Sequence, residues 1–263
     1  MILNDKIKDK LPINRLDNIC VVADFDRTLT SPKSKNSWSV TDYGERFPDA
    51  YSKEAVDLFN YYRPIEMSED VEYSYKLKMV EEWFSKRIGL FEKYKISKDV
   101  FDEVVSNLNL IKFRPKTKEF IEFLHNKNIP LIIFSAGLGN IIESFLDFNN
   151  CNFDNVYICS NKIVFVNGIA ARADNTFIHS YNKNEAYLPN DIKEIIINKS
   201  NIILLGDQLG DLDMVDERNH EFVITVGFTT IDSSKELLSP YFDIVCEDND
   251  TYDDLKNILF NES

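Results

Sequence analysis

The stretch Cys20-Val21-Val22-Ala23-Asp24-Phe25-Asp26-Arg27-Thr28 decides the fold. Its first part is apolar and rich in β-branched residues; its second part turns abruptly polar. A run that is apolar on both faces predicts a strand buried from both sides, as in a parallel sheet covered by helices. Similar runs recur at residues 131–134, 156–160, 202–205, 222–226 and 244–246, with helical stretches between them. The expected class is therefore α/β, with a parallel sheet core and helices on both faces. Ligands of such sheets bind outside the carboxyl ends of the strands. The chemistry is thus expected in the turns that follow the runs, notably at Asp24, at Ser135-Ala136-Gly137 and at Gly206-Asp207.

Outward from this core, residues 40–112 have a different texture. They are rich in Tyr, Glu, Lys and Phe, show helical spacing at 53–62 and 69–86, and hold no strong strand. They read as a helical insert after the first strand. The expected domains are a core of residues 1–39 and 113–263 and a helical cap of residues 40–112. Arg114-Pro115 opens the return to the core, with Pro115 near a helix start. Residues 162–176, with Asn167-Gly168 in the middle, predict a β-hairpin.

The chain has 263 residues, 44% of them hydrophobic, enough for one large domain or a core with an insert. A formal charge of −14 without a segregated basic patch disfavours nucleic acid and anionic membranes as partners. No run of apolar residues is long enough to span a bilayer, and residues 1–14 lack the apolar centre of a signal peptide. Cys20, Cys151, Cys159 and Cys246 form no C-x-x-C pair, which reads as buried reduced thiols in a cytoplasmic protein. Nothing in the sequence bears on oligomeric state.

Four segments carry chemistry. Asp24 and Asp26 follow a strand, where a turn lets a side chain and a backbone carbonyl converge on a hard cation such as Mg²⁺. Ser135, Ala136 and Gly137 combine a hydroxyl with small-residue backbone amides ahead of a helix expected at 140–148, a phosphate-binding arrangement. Lys183 supplies positive charge. Asp207 and Asp211 place two further carboxylates at a strand end. Each segment alone also fits a plain structural role: a polar turn, an N-cap serine, a solvated lysine, a glycine-rich turn.

Taken in order, the four segments resemble the motifs of the haloacid dehalogenase-like superfamily: D-x-D-x-T, a Ser/Thr, a Lys, and G-D-x-x-x-D. The resemblance covers about residues 19 to 215 and implies a Rossmann-like core with a cap. It implies that Asp24 attacks phosphorus to form an aspartyl-phosphate and that Asp26 serves as acid and base. It implies Mg²⁺ held by the Asp24 and Asp207 carboxylates and the Asp26 carbonyl, with Asp211 supporting. Ser135, Ala136, Gly137 and Lys183 would hold the phosphoryl oxygens, and Thr28 would brace the loop.

A narrower resemblance is to the cytosolic pyrimidine 5′-nucleotidase family. It rests on Ile65-Glu66, Met79, Glu82-Trp83-Phe84-Ser85-Lys86, Gly89-Leu90, Phe134-Ser135-Ala136-Gly137, His179, Asn182-Lys183 and Asn201 to Asp211. It implies a nucleoside 5′-monophosphate as the small phosphate ester, with Glu66 contacting the nucleobase. Trp83 and Phe84 suit either base stacking or packing within the cap. The family has Ser-His where this chain has Arg87-Ile88, so Arg87 would bind an anionic substrate edge or face solvent. The family's Cys-rich segment after the first motif has no counterpart near residues 31–39. Two alternatives stand beside this reading: a phosphatase for another small metabolite (phosphoserine-like or a sugar phosphate), and a non-catalytic phosphate-ligand-binding protein.

Overall fold

A computed structural model describes residues 1–42, 47–68, 70–108, 110–171 and 177–262. The six apolar runs form the strands β2 (Ile19–Ala23), β3 (Leu131–Leu138), β4 (Val156–Asn161), β7 (Asn201–Gly206), β8 (Phe222–Phe228) and β9 (Ile244–Cys246). With β1 (Ile2–Leu3) they make one seven-stranded sheet in the order β1-β9-β8-β7-β2-β3-β4. All neighbours are parallel except β1, which pairs antiparallel with β9. The two-residue edge strand β1 was not expected, because so short a run carries no period to read.

Side chains alternate across a strand, so each of these runs feeds two cores. Val21, Ala23, Ile133, Ile203, Leu205 and Val226 face one cluster, filled by α4 (Thr117–Asn126), α5 (Gly139–Phe148) and α8 (Tyr252–Phe260). Cys20, Val22, Ile132, Phe134, Ile202 and Leu204 face the other, filled by α6 (Asn190–Ile197) and α7 (Lys235–Leu238). All four cysteines are free and buried.

The helical segment contains α1 (Asp49–Met67), α2 (Tyr73–Lys93) and α3 (Asp99–Leu108). The helix read from residues 53–62 is present and longer at both ends, whereas the one read from 69–86 starts later, at Tyr73, and runs on to Lys93; Glu69 lies outside the described residues. Its apolar side continues the first cluster through Tyr51, Ala55, Leu90, Phe91, Val100 and Phe101. The hairpin is β5 (Val164–Val166) and β6 (Ile169–Ala171), joined at Asn167 and Gly168 with φ of 52° and 79°. Two positive φ values in succession are what a two-residue hairpin turn requires. Residues 172–176 of the expected hairpin lie outside the described residues.

Ala23 is in register with Ile133 on one side and Leu205 on the other. The chain runs outward from β2 in both directions, so β2 stands at the point where the strand order reverses. Asp24 follows it directly, in the crevice between β3 and β7.

Candidate active site

Asp24 is still tied to the sheet, its N–H donating to the Leu205 carbonyl at 2.9 Å. The next residues, Phe25–Leu29, make one irregular helical turn in which Arg27 is left-handed, φ 69°. A non-glycine residue holds that conformation only where its surroundings over-determine it. Here the Arg27 N–H donates to Thr30 Oγ1 at 2.7 Å. Its carbonyl accepts from Arg114 Nε and Nη2 at 2.9 and 2.7 Å. Arg114 is itself buried, donates to the Thr229 carbonyl and lies 4.9 Å over the Phe228 ring.

The turn brings Asp24 together with Asp207 and Asp211, one carboxylate oxygen of each lying within 4.8 Å of the others. Lys183 bridges two of them, donating to Asp24 Oδ1 at 2.5 Å and Asp211 Oδ1 at 2.7 Å. Burial pushes the Asp24 carboxyl upward; Lys183 opposes this and the Asp211 and Asp26 charges add to it. Burial likewise pushes Asp207 up, reinforced by Asp211 and Asp24. For Lys183 burial disfavours the ammonium, but Asp211 and Asp24 outweigh it and hold the group above its usual value.

Three buried carboxylates therefore face one ammonium. Asp211 Oδ2 is occupied, accepting the Asp207 and Gln208 N–H groups at 2.9 and 3.0 Å. Among the described residues, Asp207 Oδ1 receives only a long bond from Thr28 Oγ1, 3.5 Å, and its Oδ2 is buried with no partner. A buried carboxylate oxygen left unpaired costs about 1–3 kcal/mol or more. Excess negative charge and an orphaned hard oxygen fit a divalent cation that takes oxygen ligands.

Asp26 stands apart from this cluster. Its Oδ1 accepts from the Ser37 N–H at 2.9 Å and its Oδ2 from Ser37 Oγ at 2.7 Å. Burial pushes its carboxyl up to about 6, with the Ser37 bonds working against the shift. The segment Ser135-Ala136-Gly137 lies beside Asp26. Strand β3 runs through Ser135 instead of stopping at Phe134, and its register to β4 shifts between Ser135 and Leu138. Ser135 Oγ accepts the Gly137 N–H at 3.0 Å. A Cβ on Gly137 would stand 2.2 Å from Ser37 Oγ and 3.0 Å from Asp26 Oδ2, so only glycine fits where this backbone meets Asp26.

Asn161 and Asn182 tie the loops together. Asn161 Nδ2 donates to the Ala136 and Ile178 carbonyls at 2.9 and 2.8 Å, and its Oδ1 accepts the Ile178 N–H. Asn182 Oδ1 accepts the His179 N–H and Nδ2 donates to the Phe177 carbonyl. Thus the Lys183 loop is pinned to the Ser135 loop through one buried amide.

On the helical side, Glu66 accepts from Arg63 Nη1 at 2.5 Å and from Ser180 Oγ at 3.3 Å. The Tyr181 hydroxyl donates to the Glu66 carbonyl at 3.0 Å. Arg87 corrects one of the two expectations: it does not face solvent. It is buried, paired with Asp42, donates to Thr41 Oγ1 at 2.8 Å and lies 5.3 Å over the Tyr51 ring. Trp83 packs flat on Tyr62 at 6.0 Å, and Phe84 meets Trp38 edge to face at 5.3 Å.

Ser37, Trp38, Arg114 and Asn161 escaped the sequence reading as site-building residues. Asn161 ends a strand and falls under the same carboxyl-end rule that singled out Ser135. Ser37 has no local signal; only the tertiary approach of residues 36–38 to Asp26 reveals it.

Residues 26–261 match the family profile described as pyrimidine 5′-nucleotidase (UMPH-1). A 7-methylguanosine phosphate-specific 5′-nucleotidase of Mus musculus is 32% identical over 253 residues, 92% of this chain and 84% of that protein. The protein so named in Drosophila melanogaster is 28% identical over 266 residues, 97% and 83% of the two chains. The crystal structure of cytosolic 5′-nucleotidase IIIB bound to cytidine superposes with a TM-score of 0.82 at 27% identity, covering 95% of this chain and 87% of that one. A phosphoserine phosphatase holding a phospho-aspartyl intermediate analogue, 14% identical over 90% of this chain and 96% of its own, shares the fold at a TM-score of 0.53.

Proposed function

This chain belongs to the pyrimidine 5′-nucleotidase (UMPH-1) family of phosphoric monoester hydrolases, and from that premise we propose that it hydrolyses nucleoside 5′-monophosphates at Asp24. The observation that carries the reading is the trio Asp24, Asp207 and Asp211, bridged by Lys183, at the reversal point of the sheet.

Asp24 is the nucleophile: its carboxylate oxygen bonds to phosphorus as the ester P–O bond breaks, giving an aspartyl-phosphate. Asp26 gives its proton to the departing 5′ oxygen, then takes one from the water that attacks the intermediate and restores Asp24. Lys183, the Ser135 hydroxyl and the Ala136 and Gly137 amides hold the non-bridging oxygens. Thr28 braces Asp207. Mg²⁺ would be held by the Asp24 and Asp207 carboxylates and the Asp26 carbonyl, with Asp211 supporting through the amides and the lysine it fixes. When bound, the ion neutralises charge between a dianionic phosphate and the buried carboxylates.

Residues 40–112 act as a cap over a core of residues 1–39 and 113–263, excluding water when substrate is bound. Glu66 reads the base edge; its carboxylate bonds Ser180, three residues from Lys183. The substrates named for the relatives, a 7-methylguanosine phosphate and, in the family's name, pyrimidine nucleotides, make these the bases to test first. Four reduced, buried thiols and the cytosolic relative support a cytoplasmic protein.

The test is a panel of CMP, UMP, 7-methylguanosine 5′-monophosphate, phosphoserine and a hexose phosphate with Mg²⁺. The expected kcat/KM favours a nucleotide by about 10-fold or more, the worth of a few specific base contacts. Equal values on nucleotides and sugar phosphate overturn the nucleotidase reading. Phosphate release left intact in Asp24→Asn overturns the catalytic one.

A further inference from the structure

Ser37 lies outside all four motifs, yet it is completely buried and bonded to Asp26. Its N–H donates to one oxygen of Asp26 and its Oγ–H to the other, at 2.9 and 2.7 Å. The same Oγ accepts the Leu138 N–H at 3.0 Å. A serine hydroxyl has one proton and two lone pairs. With Leu138 occupying a lone pair, the rotor is fixed and the proton is committed to Asp26. The absent side chain of Gly137 makes this approach possible, since a Cβ there would collide with Ser37 Oγ. Trp38, the next residue, donates Nε1–H to the Ala136 carbonyl at 2.9 Å and packs edge to face on Phe84 of α2. Residues 37 and 38 thus link the acid/base, the phosphate loop and the helical segment.

We infer that Ser37 is the positioning residue for Asp26, fixing both carboxylate oxygens relative to the Ser135–Gly137 loop so that the acid proton meets the leaving oxygen. The inference rests on Asp26 being the acid/base. In the step it serves, the Asp26 proton passes to the ester oxygen as the P–O bond breaks, the electron pair of that bond stays with the oxygen, and the new bond forms from Asp24. The neutral nucleoside leaves, and Asp26 remains a carboxylate accepting both Ser37 donors. Ser37 touches neither phosphorus nor leaving group and acts only through Asp26.

The test compares the best nucleoside 5′-monophosphate with its analogue carrying sulfur in place of the bridging 5′ oxygen. A thiolate leaves without a proton, so this substrate needs no placed acid. The quantity read is kcat/KM, which covers only the steps up to nucleoside release, per native molecule as counted from a thermal melt. Ser37→Ala is expected to lose about 10- to 100-fold on the oxygen ester, part of the roughly 10²–10⁴ a positioned acid supplies, with little loss on the sulfur ester. Asp26→Asn, run alongside, is expected to show the same contrast more strongly. Equal losses on both esters in Ser37→Ala, or no loss, while Asp26→Asn keeps the contrast, overturn the role of Ser37 alone. Absence of the contrast in Asp26→Asn overturns the acid/base reading and the inference with it.

Discussion

Lys183 and Arg87 are equally buried, each 6% exposed, and both bind aspartate, yet one belongs to a site and the other to a scaffold. Lys183 lies at the carboxyl end of the sheet with Asp24 and Asp211 on its ammonium, and Asp207 beside them has an oxygen that no described residue satisfies. Arg87 lies in the helical segment with one carboxylate among the described residues, Asp42, together with the Thr41 hydroxyl, the Trp38 carbonyl and the Tyr51 ring. A buried cation matched by one anion is a brace. A buried cation outnumbered by anions is half of a binding site, because the excess charge is tolerated only where something arrives to neutralise it.

Substituting the two cations tests that distinction most severely. Lys183→Met is expected to cut kcat/KM on the best nucleotide by about 10³-fold, the scale of a fixed charge that stabilises a transferring phosphoryl group. Arg87→Met is expected to leave turnover per native molecule in place and to lower unfolding free energy by about 2–3 kcal/mol. That lies just below the roughly 3–5 kcal/mol for breaking a fully buried pair, because the Asp42 side chain keeps 20% of its surface in solvent. Urea unfolding and steady-state kinetics on both variants check this. A large activity loss in Arg87→Met with normal stability would erase the distinction.

The unmatched charge around Lys183 makes a second prediction. Mg²⁺ is expected to stabilise the wild-type protein by about 2–3 kcal/mol at a concentration near 100 times its dissociation constant. Asp207→Asn removes the orphaned oxygen's charge and is expected to show little of that gain, while Arg87→Met retains it. Thermal unfolding with and without the ion, in the absence of substrate, reads the difference. Equal gains in wild type and Asp207→Asn would place the ion elsewhere.

The two regions also differ in how much of them the sequence discloses. The strands feeding the Lys183 site are apolar on both faces and end in polar turns, so local pattern marks Asp24, Ser135, Asp207 and Asp211 as candidates, and their order along the chain sets them above plain turn and cap residues. Lys183 has no local signal at all; it gains meaning only through order along the chain, and its two bonds to acids in the turns after β2 and β7 are purely tertiary. Arg87 illustrates the opposite failure. An arginine on an amphipathic helix reads as solvent-facing, and only the approach of Asp42 and Tyr51 turns it inward. Trp83 and Phe84 could be read either as base platforms or as packing, and in the structure they pack on Tyr62 and Trp38. Periodicity locates elements and faces, but not which partner crosses a gap of a hundred residues.

The smallest expected effect concerns the loop that carries Lys183. His179, 2% exposed, accepts the Tyr181 N–H on Nδ1 at 3.3 Å and has burial holding its imidazole down at about 4. In the unfolded chain the ring titrates near 6.5. Above that value both states are neutral and the contribution to stability is complete. As pH falls from 6.5 toward 4 the unfolded chain binds the proton and the native one does not, so stability is lost across that window. At pH 5.5 the loss attributable to this ring is about 1 kcal/mol. His179→Gln does not titrate there, so its unfolding free energy should fall less than that of the wild type between pH 7.5 and pH 5.5, by about that amount. Carboxylates common to both proteins contribute equally and cancel in the comparison. An identical pH dependence in the two proteins would mean that the imidazole is hydrated in the native loop, and the Lys183 side of the site would then be more open to water than the Arg87 side.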